Sequence, residues 1–126
     1  MYVYYNPNPR NPDTDDCVIR AICKVLNMPW EKVYMGLCIK GLELYDWGNN
    51  NKVWDAYLRG KGFVREVIPD TCPDCYTVED FCEDHPTGTY VLGTGTHVVA
   101  VIDGNYFDSY PASGRKVPIY AYRKER

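Results

Sequence analysis

The hydrophobic period of this chain changes partway along it, and that change limits the folds open to it. In three early stretches the apolar residues recur at helical spacing. Residues 17–26 carry Val18, Ile19, Ala21, Ile22, Val25 and Leu26; residues 30–39 carry Trp30, Val33, Tyr34, Leu37 and Cys38; residues 51–59 carry Val53, Trp54, Tyr57 and Leu58. Residues 41–50 between them read as a loop. Beyond Gly62 the pattern turns to strands over 63–68, 89–92, 96–102, 106–109 and 119–122, with Asp103-Gly104 or Gly104-Asn105 as a hairpin turn. One short helix interrupts, opened by Thr77-Val-Glu-Asp and stopped at His85-Pro86. The pattern predicts an α+β fold with N-terminal helices packed on a C-terminal antiparallel β-meander. A length of 126 residues suits a single domain, 1–126, in which the proline- and asparagine-rich residues 1–16 form an irregular arm.

Charge narrows the choice of partners. Fourteen basic residues against seventeen acidic ones disfavour a sequence-independent nucleic-acid binder, which needs surplus cations to displace counterions. From residue 66 to residue 114 there is no Lys or Arg, so this stretch is the acidic part of the molecule. No apolar run approaches the roughly 20 residues that cross a bilayer, and the first residues lack signal-peptide character. The expectation is a cytoplasmic protein whose six cysteines are free, catalytic or metal-bound. Twelve tyrosines against three phenylalanines suggest amphipathic rings lining a binding surface.

Thiol chemistry needs a thiolate, an imidazole to balance or take the proton, and a group that orients the imidazole. Cys17 falls on the first turn of the first helix, where unpaired amides and the helix dipole favour negative charge. Of two histidines, His97 opens the strongest strand. If the following hairpin closes with a two-residue turn, paired positions have an odd sum, and His97 shares a face with Tyr106, Asp108 and Tyr110. Asp108 is then opposite or diagonal to His97. The bland alternative is a buried inert cysteine, a strand histidine satisfied by its neighbours and a surface aspartate.

The order of these residues resembles that of papain-like cysteine peptidases. Asp16-Cys17-Val-Ile-Arg-Ala-Ile, Thr89-Tyr-Val-Leu and Gly95-Thr-His97-Val-Val-Ala-Val-Ile-Asp-Gly-Asn-Tyr-Phe-Asp108 are similar to the small stand-alone papain-like proteins of bacteriophages and gut bacteria. The resemblance implies a hydrolase of peptide or protein substrates with Cys17 as nucleophile, His97 as base and Asp108 as orienter. It also implies an amide side chain about six residues before the cysteine in the oxyanion hole. Asn11 stands at that distance, with Asn8 as the substitute. The competing reading is a non-catalytic papain-like interaction module, phage-encoded, that binds a host protein. Oligomeric state is not legible.

A second constellation, Cys72-Pro-Asp-Cys75 followed by Cys82-Glu-Asp-His85, has three thiols and an imidazole suited to a tetrahedral structural zinc, though catalysis would need no cofactor. Two other readings stay open. Cys75 and Cys82 pack under the short helix that His85 terminates, or Cys72 and Cys75 form a redox pair.

Overall fold

The computed structural model describes residues 1–10 and 14–125. The fold is α+β: the described residues form four α-helices and one six-stranded mixed sheet. In chain order these are β1 (Tyr2–Tyr4), α1 (Cys17–Leu26), α2 (Trp30–Leu44), α3 (Asn51–Gly60), β2 (Phe63–Val67), α4 (Val78–Asp84), β3 (Thr89–Gly93), β4 (Val98–Ile102), β5 (Asn105–Asp108) and β6 (Tyr120–Lys124). A 3-10 turn at Pro111–Arg115 links β5 to β6.

The sheet departs from the expected meander. Its order is β1-β5-β4-β3-β6-β2, so only β3, β4 and β5 follow one another as hairpins. The edge beyond β5 is occupied by β1, which runs parallel to it with Tyr2 opposite Tyr106 and Tyr4 opposite Asp108. β6 therefore pairs on the other side, with β3, and β2 pairs with β6. Residues 2–4 were expected in an irregular arm; three residues are too few to show a strand period, and their order comes from the open edge of β5.

Both faces of the sheet are covered, which explains why β4 reads as a continuous apolar run rather than an alternating one. Val91, Val98, Ala100 and Tyr122 pack with Ile22 of α1, Val33 and Leu37 of α2, and Trp54 and Leu58 of α3. Their neighbours Leu92, Val99, Val101 and Ala121 point the other way, onto Val78, Phe81 and Cys82 of α4. α4 is held at its start by the capping box that Thr77-Val-Glu-Asp predicts, with Asp80 N–H donating to Thr77 Oγ1 at 3.2 Å and Thr77 N–H to Asp80 Oδ2 at 3.0 Å.

α2 runs to Leu44, five residues past its expected end. Gly41 is not a stop. It is a buried helical position against which the segment following α2 folds back: a Cβ there would lie 2.6 Å from the Asp46 carbonyl oxygen and 3.0 Å from the Gly48 nitrogen. Gly41→Ala is therefore expected to lower the unfolding free energy by about 1–2 kcal/mol, the backbone clash outweighing alanine's better helix propensity. Urea denaturation tests this; an unchanged or raised midpoint would mean that the loop gives way freely.

Candidate active site

Two hairpin features bring His97 to Asp108. The β4–β5 turn is Asp103-Gly104, both with positive φ (49° and 78°), as a two-residue I′ turn requires. It pairs Ile102 with Asn105, Val101 with Tyr106 and Ala100 with Phe107. At the other end, between β3 and β4, Gly95 takes φ 93°. There the Thr94 N–H and hydroxyl both donate to the His97 carbonyl, at 2.8 and 3.2 Å, fixing the backbone that carries the imidazole.

The contact expected from the two-residue register is present. His97 Nε2 donates to Asp108 Oδ2 at 2.5 Å, with the two side chains 13% and 1% exposed. Asp108 is fixed on every side. Its carbonyl accepts from the Tyr5 N–H at 2.9 Å and the Tyr2 hydroxyl at 3.0 Å, so β1 braces the strand that carries it. Its Oδ1 accepts from the Ser109 N–H at 2.7 Å and from Arg20 at 3.3 Å. Burial is the largest influence on the Asp108 carboxyl and raises its pKa. The hydrogen bond and charge of His97, the Ser109 amide and Arg20 together outweigh it, so the carboxyl ends below its ordinary value.

With Nε2 occupied, Nδ1 is the ring nitrogen left for Cys17. The hydrogen bond to Asp108, and after it the neighbouring Cys17 thiol, hold the His97 pKa up to about 9 against the opposing effect of burial. Cys17 is the first residue of α1 and half-buried. Asp16 stands at the N-cap, yet its side chain does not cap the helix. The carboxylate instead forms a buried ion pair with Arg20 and accepts from Trp30 Nε1 at 3.0 Å and Asn8 Nδ2 at 3.3 Å. The first-turn amides of α1, the Cys17 N–H among them, thus carry no side-chain cap. Cys17, Arg20, His97, Thr14, Asp15 and Tyr110 line one pocket of about 410 Å³, and the Tyr110 ring meets the imidazole edge to face at 6.4 Å.

The pairing of Arg20 with Asp16 has no counterpart in the sequence reading, although their i,i+4 spacing offered a signal: an arginine on the apolar face of a helix, one turn after an aspartate, needs a buried partner. Asn8 is not among the residues that line the Cys17 pocket; its amide is engaged with Asp16, and it lines the neighbouring cleft. Asn11 lies outside the described residues.

The second constellation is not assembled. Cys72 and Cys75 are exposed and joined in a disulfide, contrary to the expectation of free or metal-bound thiols. Cys82 is buried against the sheet, which raises its pKa, and the Nδ1–H of His85 donates to the Phe81 carbonyl at 2.8 Å while its ring stacks on Phe81. Among the described residues no group of three or more His, Cys, Asp or Glu is arranged to hold a metal ion. The two-residue spacing of Cys72 and Cys75 puts the sulfurs within bonding reach of each other, while Cys82 turns inward with the apolar face of α4. Cys23 is likewise buried, its thiol pushed up to about 12 by burial first and nearby acids second, whereas Cys38 is a free exposed thiol.

Among the described residues no helix is long and apolar enough to cross a membrane. Compared with protein-family models, curated proteins and solved structures, the chain matches none of them.

Proposed function

We propose that this chain is a papain-like thiol hydrolase that cleaves an amide, peptide or isopeptide bond through Cys17, His97 and Asp108. One observation carries the reading: a half-buried cysteine at a helix start without a side-chain cap shares a pocket with an imidazole whose far nitrogen is locked on a buried carboxylate. Structural histidines rarely need such an arrangement, and nucleophilic thiols do.

With its pKa near 9, His97 is an imidazolium at neutral pH and supplies the counter-charge for an attacking thiolate. Cys17 Sγ bonds to the substrate carbonyl carbon, and the oxygen takes up negative charge facing the first-turn amides of α1. As the C–N bond breaks, the proton on Nδ1 passes to the departing amine and the acyl group stays on sulfur as a thioester. Water then gives its proton to Nδ1 and its oxygen to the acyl carbon. The C–S bond breaks, a carboxylic acid leaves, and thiolate and imidazolium are restored. Throughout, Asp108 keeps Nε2–H directed at itself and stabilises the charged ring without taking its proton.

The test is iodoacetamide alkylation of the native protein against pH, mapped by peptide mass spectrometry, with exposed Cys38 as the internal reference. Below pH 8, Cys17 is expected to react at least about tenfold faster than Cys38, and His97→Ala to abolish that advantage. Equal rates, or reaction of Cys17 only after denaturation, would overturn the hydrolase reading. They would favour the non-catalytic interaction module, for which the exposed Met35, Ile39 and Leu42 along α2 offer a surface.

A further inference from the structure

A second cleft, of about 960 Å³, adjoins the Cys17 pocket. It is more than twice as large and lies at the upper end of the range of ligand sites. The two share Thr14 and Asp15 in their linings, so a chain with its carbonyl at Cys17 continues into the larger cleft without leaving the surface. Ile19 and Leu37 supply apolar lining from α1 and α2, and Trp30 stacks on Tyr34 with ring centres 5.2 Å apart and planes 11° from parallel. The indole N–H of Trp30 is spent on Asp16, which fixes the ring in place. Trp47, 84% exposed, is the third aromatic residue of the lining. Preset rings of this kind offer flat apolar faces to another ring at little entropic cost.

The charge of the cleft has a sign. Asp16 is neutralised by Arg20, but among the described residues Asp15 and Glu31 form no ion pair, and Arg10 is the one cation of the lining. The excess is negative, and an arriving cationic side chain complements it.

We infer that this cleft is a recognition site for an extended peptide segment in which an aromatic side chain lies within two residues of a Lys or Arg. The aromatic group seats against Trp30, Tyr34 and Trp47, and the cation meets Asp15 and Glu31. The inference deepens the hydrolase reading by naming a substrate class, and it rests on that reading for its catalytic meaning though not for the binding itself.

The experiment presents a pooled library of blocked pentapeptides to the immobilised full chain carrying Cys17→Ala, which cannot turn them over, and reads the bound pool by mass spectrometry. Peptides that pair an aromatic with a basic residue are expected to be enriched about tenfold. Trp47→Ala should remove the aromatic preference and Glu31→Gln weaken the cationic one; both positions are exposed, and unfolding midpoints check that each variant folds. A bound pool of random composition, a preference for acidic peptides, or enrichment that survives both substitutions would each overturn the inference. Alkylation of Cys17 in the wild-type protein separates the two readings. Fast alkylation without enrichment removes the peptide site and keeps the hydrolase; ordinary alkylation with enrichment does the reverse.

Discussion

Replacing Arg20 by alanine is expected to lower the free energy of unfolding at pH 7 by about 3–5 kcal/mol, because it leaves the buried Asp16 carboxylate without its cation and takes from Asp108 one of the two cations it touches, His97 being the other. Arg20 is 5% exposed, and its guanidinium joins Asp16, also 5% exposed, to Asp108, 1% exposed. The intact cluster is worth far less than this loss suggests, since much of the cost of removing one partner is the desolvation of those left behind. Arg20→Lys should fall in between, retaining the charge but not the fork that reaches two carboxylates at once. The pH dependence has a definite sign. Asp108 has a lowered carboxyl pKa, so its contribution is present above the unfolded value of 3.8 and is lost as pH falls through the lower folded value. The gap between wild type and Arg20→Ala should therefore be widest above about pH 5 and narrow in acid, where protonation of Asp108 removes the buried charge that Arg20 helps to hold. Urea unfolding at several pH values measures both. A deficit below about 1 kcal/mol at pH 7 would mean that the carboxylates find water once the arginine is gone.

The elements that were legible in the sequence were those built on local chemistry. α1 begins at Cys17 and ends before Asn27, which takes the left-handed conformation of a C-cap with φ 54°, and the α4 capping box was readable residue by residue. The Asp103-Gly104 turn fixed the parity that sets His97 against Asp108, so this half of the candidate site followed from a dipeptide and a period of two. What escaped was decided by distant parts of the chain. β1 is a strand because β5 offers an unpaired edge, α2 continues because the following loop needs a glycine beneath it, and β6 crosses to β3 because β1 has taken the other side.

The same division runs through the site. Cys17 and His97 announce themselves by position, one at a helix start and one at a strand start. The Asp16–Arg20–Asp108 cluster links Arg20 to Asp108 across 88 positions of sequence and has no local signature beyond the helical spacing of its first two members. Cys72, Cys75, Cys82 and His85 show the converse case. Their spacing suits a metal, but the sulfurs of the first pair join each other and Cys82 faces the apolar side of α4. Spacing proposes a ligand set, and burial and pairing decide whether it is gathered.

Asp108→Asn should lower the His97 pKa from about 9 by roughly two units, toward the ordinary value of 6.5, because it removes the largest of the influences that hold the ring charged. The influence of Cys17 remains in the variant and burial works against it, so a return part of the way is expected rather than a large undershoot. The chain contains only two histidines, and proton NMR of the ring C–H signals follows His97 directly, with His85, the C-cap residue of α4, as the second resonance. Stability reports the same shift independently. A histidine with a raised folded pKa contributes stability that is complete below the unfolded value and is lost as pH rises through the folded one, here between about 6.5 and 9. Over that window the wild type should lose stability relative to Asp108→Asn at up to about 1.4 kcal/mol per pH unit. If His97 titrates near 9 in both proteins, Asp108 does not control the ring, and the orienting role assigned to it fails. If the pKa falls but Cys17 keeps its alkylation advantage below pH 8, the charged imidazole is not what makes the thiol reactive, and the uncapped amides at the start of α1 become the sole remaining source of that reactivity.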